Sequence, residues 1–385
     1  MAGCGSASSS THADGGSGPP SPDSGRTQGS DSGTHADAGR HADAARTSGD
    51  SGIKLGTAIT APASTWTWVP FPDAVCGNGS ATGIGINLTG DGTSRVLLYL
   101  EGGGACWSEQ TCFTFATATY VSTGYGPTEF TAESTDLAYL AAPGGFFDRT
   151  AADNPFKDYS YVYVPYCTGD VHGGSNVVTY SSGTMHFAGY ENIGAYLARL
   201  VPTFQDAGRV ILAGSSAGGV GAALNWSRVQ AAFGSVRVDV IDDSGTPMPD
   251  DAIGDAGVGL EDTWSSQWNL AAALPPACTS CKADLSTILG YFQTAFPTHR
   301  GALLSYLQDA VLPEFYGIST AQFTQGLGED VGKYFAPSSN LKYFTYNGSG
   351  HVLFFTPTLT TAGTTVQEFI TNMVNDDPSW GDVHP

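Results

Sequence analysis

The chain has 385 residues, 41% of them hydrophobic, enough for one large α/β domain or two medium ones. Fifteen basic residues stand against 36 acidic ones, and the net charge of −21 argues against nucleic acid and anionic membrane surfaces as partners. No apolar run reaches the roughly 18 residues that a membrane-spanning helix needs.

At the N-terminus, Ala2-Gly3-Cys4 ahead of a small, polar tail looks like the end of a bacterial lipobox. It predicts a lipid anchor at Cys4 and a secreted or cell-surface lipoprotein. Residues 1–52 are nearly all Gly, Ser, Ala, Asp, Thr and His, with imperfect repeats at His12-Ala13-Asp14, His35-Ala36-Asp37 and His41-Ala42-Asp43. Such a stretch cannot bury enough apolar surface to offset its ordering entropy, and it reads as a disordered tether. Residues 53–385 read as one folded α/β domain. Beyond Cys4 six cysteines remain, an even set that in an exported protein suggests disulfides. Short spacings favour Cys106–Cys112 and Cys278–Cys281, which leaves Cys76–Cys167. Zinc is the rival reading for Cys278-Thr279-Ser280-Cys281, without a second Cys/His pair at ligand spacing to accompany it.

In chain order, RVLLYL (95–100) and YSYVYVPY (159–166) read as buried strands. Residues 189–204 place Ile193, Tyr196, Leu197, Leu200, Val201 and Phe204 at helical spacing. RVILAG (209–214) reads as a strand, and AGGVGAALNWSRVQAAF (217–233) as the helix that follows it. VRVDVID (236–242) and LKYFTY (341–346) are further strands, and TTVQEFITNMV (364–374) closes as a helix. Short apolar strands alternating with helices predict a mostly parallel central sheet with helices on both faces, and a site at the carboxyl ends of its strands.

Gly214-Ser215-Ser216-Ala217-Gly218 matches the G-x-S-x-G nucleophile elbow in the strand–turn–helix context that motif requires. By register Ser216 is the nucleophile and Ser215 is turn filler, small because the elbow tolerates nothing larger. An oxyanion at Ser216 needs backbone N–H donors. Ala217 supplies one, and the glycine run in LYLEGGGACW (98–107) is placed to supply the other. Of the histidines that follow Ser216, His384 is terminal and His299 reads as a helix entry. His351, in YNGSGHVLFF after a strand, can aim its ring back over the sheet edge. For the acid, position slightly favours Asp243, which with Asp242 ends a strand. Asp309, in LLSYLQDAVLPEF, reads from spacing alone as a helix charge.

Taken in order, LYLEGGGACWSEQTC, VPYCTGDVHGG, GSSAGG, IDDSG and SGH resemble the pectin acetylesterase and Notum family of carboxylesterases. The resemblance implies an α/β-hydrolase fold, a Ser-Asp-His triad, no metal or other cofactor, and an ester substrate, an acetylated polysaccharide above all. Esters of longer acyl or aromatic groups, polyesters included, are the alternative, and an inactive surface-binding protein is a third. The resemblance puts the nucleophile on Ser216, the histidine on His351 and the acid on Asp309, with Asp243 as runner-up and support for the sheet edge. It puts the oxyanion donors on Gly103, Gly104 and Ala217, and it supports Cys76–Cys167 and Cys106–Cys112. Some members carry Trp where this chain has Gly104, which opens the acyl pocket. Trp107, Trp264 and Trp268 are candidates for the cleft wall.

Overall fold

The computed structural model describes residues 52–90 and 95–385. Cys4, the expected anchor, and all but the last residue of the expected tether lie outside the described residues.

Eight strands form the central sheet: β1 (Thr67–Val75), β2 (Ala81–Asn87), β3 (Arg95–Leu100) and β4 (Ser160–Val164), then β7 (Arg209–Ser215), β8 (Val238–Asp243), β9 (Gly301–Tyr306) and β10 (Leu341–Tyr346). Between the two sets, β5 (Asn176–Tyr180) and β6 (Gly183–Phe187) make a separate hairpin. The sheet order is β1-β2-β4-β3-β7-β8-β9-β10. The β1–β2 and β2–β4 pairings are antiparallel, and the rest are parallel. The chain is therefore an α/β protein with a mixed, mostly parallel sheet.

Alternation along the strands explains how that sheet is covered. Val210 and Leu212 of β7 join a core with Ile193, Leu197 and Leu200 of α2 (Gly189–Thr203) and Val229 of α3 (Ala217–Phe233). Ile211 and Ala213, pointing the other way, join a second core with Phe130 of α1 (Pro127–Ser134) and Phe369, Ile370 and Met373 of α8 (Val366–Val374). Both sheet faces are apolar, so the strands read as continuous apolar runs. β1 carries Pro70 and Pro72 and lies at the sheet edge, where a residue without an N–H is tolerated.

Further helices follow β8: α4 (Asp250–Trp268), broken at Gly254, then α5 (Thr287–Ala295), and after β9 α6 (Leu312–Tyr316) and α7 (Thr320–Asp330). Helices α4, α6 and α7 pack on one another as a cluster. Disulfides join Cys76 to Cys167, Cys106 to Cys112 and Cys278 to Cys281.

Two readings of the sequence are corrected here. Residues 301–306 form β9, not helix, so Asp309 lies three residues past a strand end rather than on a helix. His299 lies in the turn that enters β9, at the amino end of the sheet. A short apolar run such as GALLSY fits either element, and pairing with β8 and β10 decides it as strand.

Candidate active site

The turn from β7 into α3 leaves no room for side chains. A Cβ on Gly214 would run into the Gly218 carbonyl, and one on Gly218 into the Leu100 carbonyl. Between them Ser216 adopts φ 57° and ψ −123°, a conformation costly for a residue with a side chain. It is pinned by its N–H donating to the Asp243 carbonyl (2.7 Å) and by its carbonyl accepting from Gly219 N–H (2.8 Å). The strained turn projects the hydroxyl from the end of the sheet, as the elbow reading requires.

His351 lies beyond β10, and its Nε2 is 2.7 Å from Ser216 Oγ. Its Nδ1 is 2.8 and 3.0 Å from the two carboxylate oxygens of Asp309. Asp309 is fully buried, and its Oδ1 also accepts the N–H groups of Val311 (2.8 Å) and Leu312 (2.9 Å). The loops after β9 and β10 are zipped together by Leu307 N–H to Tyr346 O, Gln308 N–H to Gly348 O and Ala310 N–H to Gly350 O. That zipper carries the acid and the imidazole to the same place. With Nδ1–H held by a carboxylate, Nε2 is the bare nitrogen that can take the serine proton.

Asp243 has a different role. Its carboxylate accepts Leu353 N–H (2.8 Å), Phe354 N–H (3.1 Å) and Ser215 Oγ–H (2.7 Å), and it is fully buried. Burial pushes it up to about 6, against those hydrogen bonds, which pull it down. Ser244 Oγ also donates to the His351 carbonyl. Asp243 thus anchors the loop that carries His351, while Asp309 meets the ring. Ser215 is not mere filler either: it is a donor to a buried carboxylate, which no local spacing in the sequence announces. Asp242 accepts from Gly245 N–H (2.9 Å), and burial followed by the neighbouring Asp243 charge pushes it up to about 8.

Residues 102–104 run beside the elbow. Gly103 (φ 145°) and Gly104 (φ 81°) hold conformations that favour glycine, and a Cβ on either would strike the 117–119 segment. That segment braces the loop through Thr119 N–H to Gly103 O (2.8 Å) and Thr117 Oγ–H to Ala105 O (2.6 Å). These bonds use carbonyls and leave the Gly103 and Gly104 N–H groups out of the pairing. Ala217 opens α3, where first-turn N–H groups have no partner within the helix and favour negative charge.

Two spaces open at Ser216. One is an apolar pocket of about 630 Å³, mouth included, whose wall includes Leu224, Trp264, Trp268, Leu285, Phe315 and Tyr316. The other is an open groove along Glu101, Tyr139, His351 and Phe355. Trp264 and Trp268 stack at 5.3 Å, and Trp268 Nε1–H donates to the Cys106 carbonyl (2.9 Å). Trp107, half-buried, meets Trp264 edge-on at 5.7 Å and does not itself line the pocket. Nothing in the sequence singles out Phe315 and Tyr316, since only the path of β9 brings α6 to the pocket. The other two histidines that follow Ser216 lie elsewhere: His299 faces Gln230 (2.8 Å) and His384 stacks on Tyr343.

Curated proteins similar to this chain share its central part. The palmitoleoyl-protein carboxylesterase notum2 of Xenopus laevis is 32% identical over 158 residues, 40% of this chain and 30% of that protein. The palmitoleoyl-protein carboxylesterases NOTUM of Schmidtea mediterranea and Mus musculus are 29% and 28% identical over 167 and 177 residues, 42% and 44% of this chain. The match spans about a third of the length of these relatives, 30% and 33% for the last two. The sequence model of the family described as Pectinacetylesterase matches residues 66–293. That range takes in Gly103, Gly104, Ser216 and Ala217 and stops short of Asp309 and His351, which only the fold brings to the serine. With elbow and glycine loop inside a match over more than half its length, the chain belongs to the pectinacetylesterase family.

Proposed function

We propose that this protein is a serine carboxylesterase that works through an acyl-enzyme. His351, oriented by Asp309, takes the proton of Ser216 as Oγ attacks the ester carbonyl. The oxyanion forms against the N–H groups of Gly103, Gly104 and Ala217. His351 then returns the proton to the departing alcohol, and water, deprotonated by the same ring, hydrolyses the acyl-serine. The observation that carries this reading is the continuous chain from Asp309 through His351 to Ser216, with bonds of 2.8 and 2.7 Å, at the mouth of an apolar pocket.

The family points to acetyl groups on a polysaccharide as the substrate. The pocket favours a second reading, longer acyl groups, because its wall runs from Ser216 to Leu285 without a charged side chain. In either case the acyl group enters the apolar pocket and the alcohol lies in the open groove. Three disulfides suit an oxidising compartment, in keeping with an exported or surface protein. Among the described residues no helix is long and apolar enough to cross a membrane.

Hydrolysis of p-nitrophenyl esters from acetate to palmitate tests both readings, with Ser216→Ala as control. A kcat/KM highest at acetate supports deacetylation, and one that rises with chain length supports the longer acyl reading. No turnover at any length contradicts the esterase assignment.

A further inference from the structure

The stretch TGDVHGG (168–174) follows β4 and lies against the glycine loop, with Gly169 O accepting from Cys106 N–H (2.8 Å). Its backbone is strained. Val171 (φ 50°) and His172 (φ 57°) are consecutive non-glycine residues in the left-handed region, where a β-branched side chain is rarely found. Several bonds hold them there. Val171 N–H donates to Tyr166 OH (2.9 Å), Gly173 N–H to Asp170 O (2.9 Å), and Asn225 Nδ2–H to His172 O (3.0 Å). Asp170, fully buried, accepts Gly189 N–H (2.7 Å) and the Thr168 hydroxyl (2.5 Å). Strain of this kind persists where the surroundings over-determine it, and it invites the question of what it positions.

What it positions is the His172 ring, 3% exposed, with Nε2 at 2.8 Å from the Glu101 carbonyl. A carbonyl can only accept, so Nε2 carries the hydrogen. Burial pushes the imidazole down to about 4, and the ring is neutral in ordinary buffers. Glu101 is held at two further points: its N–H donates to Val164 O (3.0 Å), and its Oε2 accepts Tyr166 N–H (2.8 Å). The next three residues are Gly102, Gly103 and Gly104, which have little side-chain packing of their own to fix them. We propose that His172 is the positioning residue of this loop. Its bond to the Glu101 carbonyl sets the plane of the Glu101–Gly102 peptide and, through it, the aim of the Gly103 and Gly104 N–H groups at the oxyanion. The proposal rests on the serine esterase reading.

Two substitutions separate reach from fold. His172→Asn keeps a residue at ease in the left-handed region but stops short of the Glu101 carbonyl, whereas His172→Gln can reach it. With the best p-nitrophenyl ester, kcat falls about 10- to 100-fold in His172→Asn. KM stays within about twofold, as expected for an interaction made in the transition state. The preference for the ester over its thionoester, whose sulfur an N–H hole holds poorly, shrinks in the same variant, and His172→Gln recovers most of both. Amide exchange of peptides covering residues 101–105 is faster in His172→Asn and restored in His172→Gln. Unchanged kcat in a folded His172→Asn, equal losses in both variants, or a loss confined to KM overturns the proposal. If the wild type turns over no ester, the esterase reading fails on its own. Exchange then decides the clamp: faster exchange in His172→Asn alone supports it, and equal exchange in all three proteins overturns it. Should His172→Asn fail to fold, Tyr166→Phe releases Val171 N–H while keeping the ring against His172. It then lowers kcat several-fold, and an unchanged kcat overturns the clamp.

Discussion

The end of the sheet and the α4–α6–α7 cluster treat their buried acids in opposite ways. At the sheet end Asp309 meets two N–H groups and an imidazole, and Asp243 meets two N–H groups and a hydroxyl. In the cluster Glu261 Oε1, Asp250 Oδ1 and both oxygens of Asp330 are buried without a hydrogen-bond partner. Burial, reinforced by neighbouring carboxylates, pushes Glu261 up to about 8 and Asp330 up to about 9. The difference teaches where precision is needed. The carboxylates proposed to serve Ser216 and its histidine loop are locked by backbone N–H groups from the loops around them, while the cluster beside the apolar pocket leaves its buried acids without partners and rests on packing.

The largest effects separate the two sheet-end carboxylates. Ser216→Ala lowers kcat on the order of 10⁵- to 10⁶-fold, and Asp309→Asn about 10⁴-fold by removing the partner that fixes the His351 tautomer. Asp243→Asn sets an amide against two N–H donors. It costs about 1–3 kcal/mol of stability in denaturant unfolding and only about tenfold in kcat through the displaced His351 loop. If Asp243→Asn loses as much rate as Asp309→Asn without loss of stability, the roles of the two aspartates are reversed.

A smaller effect belongs to the pocket wall. Trp264→Ala removes one ring of the stacked pair beside Ser216 and lowers kcat/KM for long-chain esters about 10-fold, with acetate changed by about twofold or less. An equal loss at every chain length would show that the ring supports the site rather than the acyl group.

The last effect is on pH dependence. An unfolded chain releases these carboxyl protons near pH 4, whereas Glu261 and Asp330 keep theirs to about 8 and 9 in the fold. Between those values unfolding releases protons, so stability is greatest on the acid side and falls as pH rises through 9. The melting temperature therefore declines from pH 5 to pH 9, and Asp330→Asn, which cannot ionise, makes the decline shallower. A melting temperature that rises over this range contradicts the buried, neutral state of the cluster.

The sequence carries its local demands openly. The elbow needs small residues at fixed offsets from Ser216, the loop at 102–104 needs glycine, and His351 follows a strand, so each can be found by reading along the chain. The acid is different in kind. Its place depends on β9 pairing with β8 and β10, and neither the short run GALLSY nor its neighbours announce that pairing. Position alone therefore favours Asp243, and it is the family resemblance that points to Asp309. Ser215 illustrates the same limit, since its partner lies 28 residues away across a strand pair. The prolines of β1 hide an edge strand that only its place in the sheet explains.

The central claim is that Ser216 carries the acyl group between substrate and water. Rapid acid quench of the enzyme with a p-nitrophenyl ester, followed by peptide mass mapping, tests it directly. The account predicts one acyl group on Ser216 during turnover, absent from Ser216→Ala and accumulating as the alcohol is released. Turnover with no adduct, or an adduct on Ser215, would contradict it.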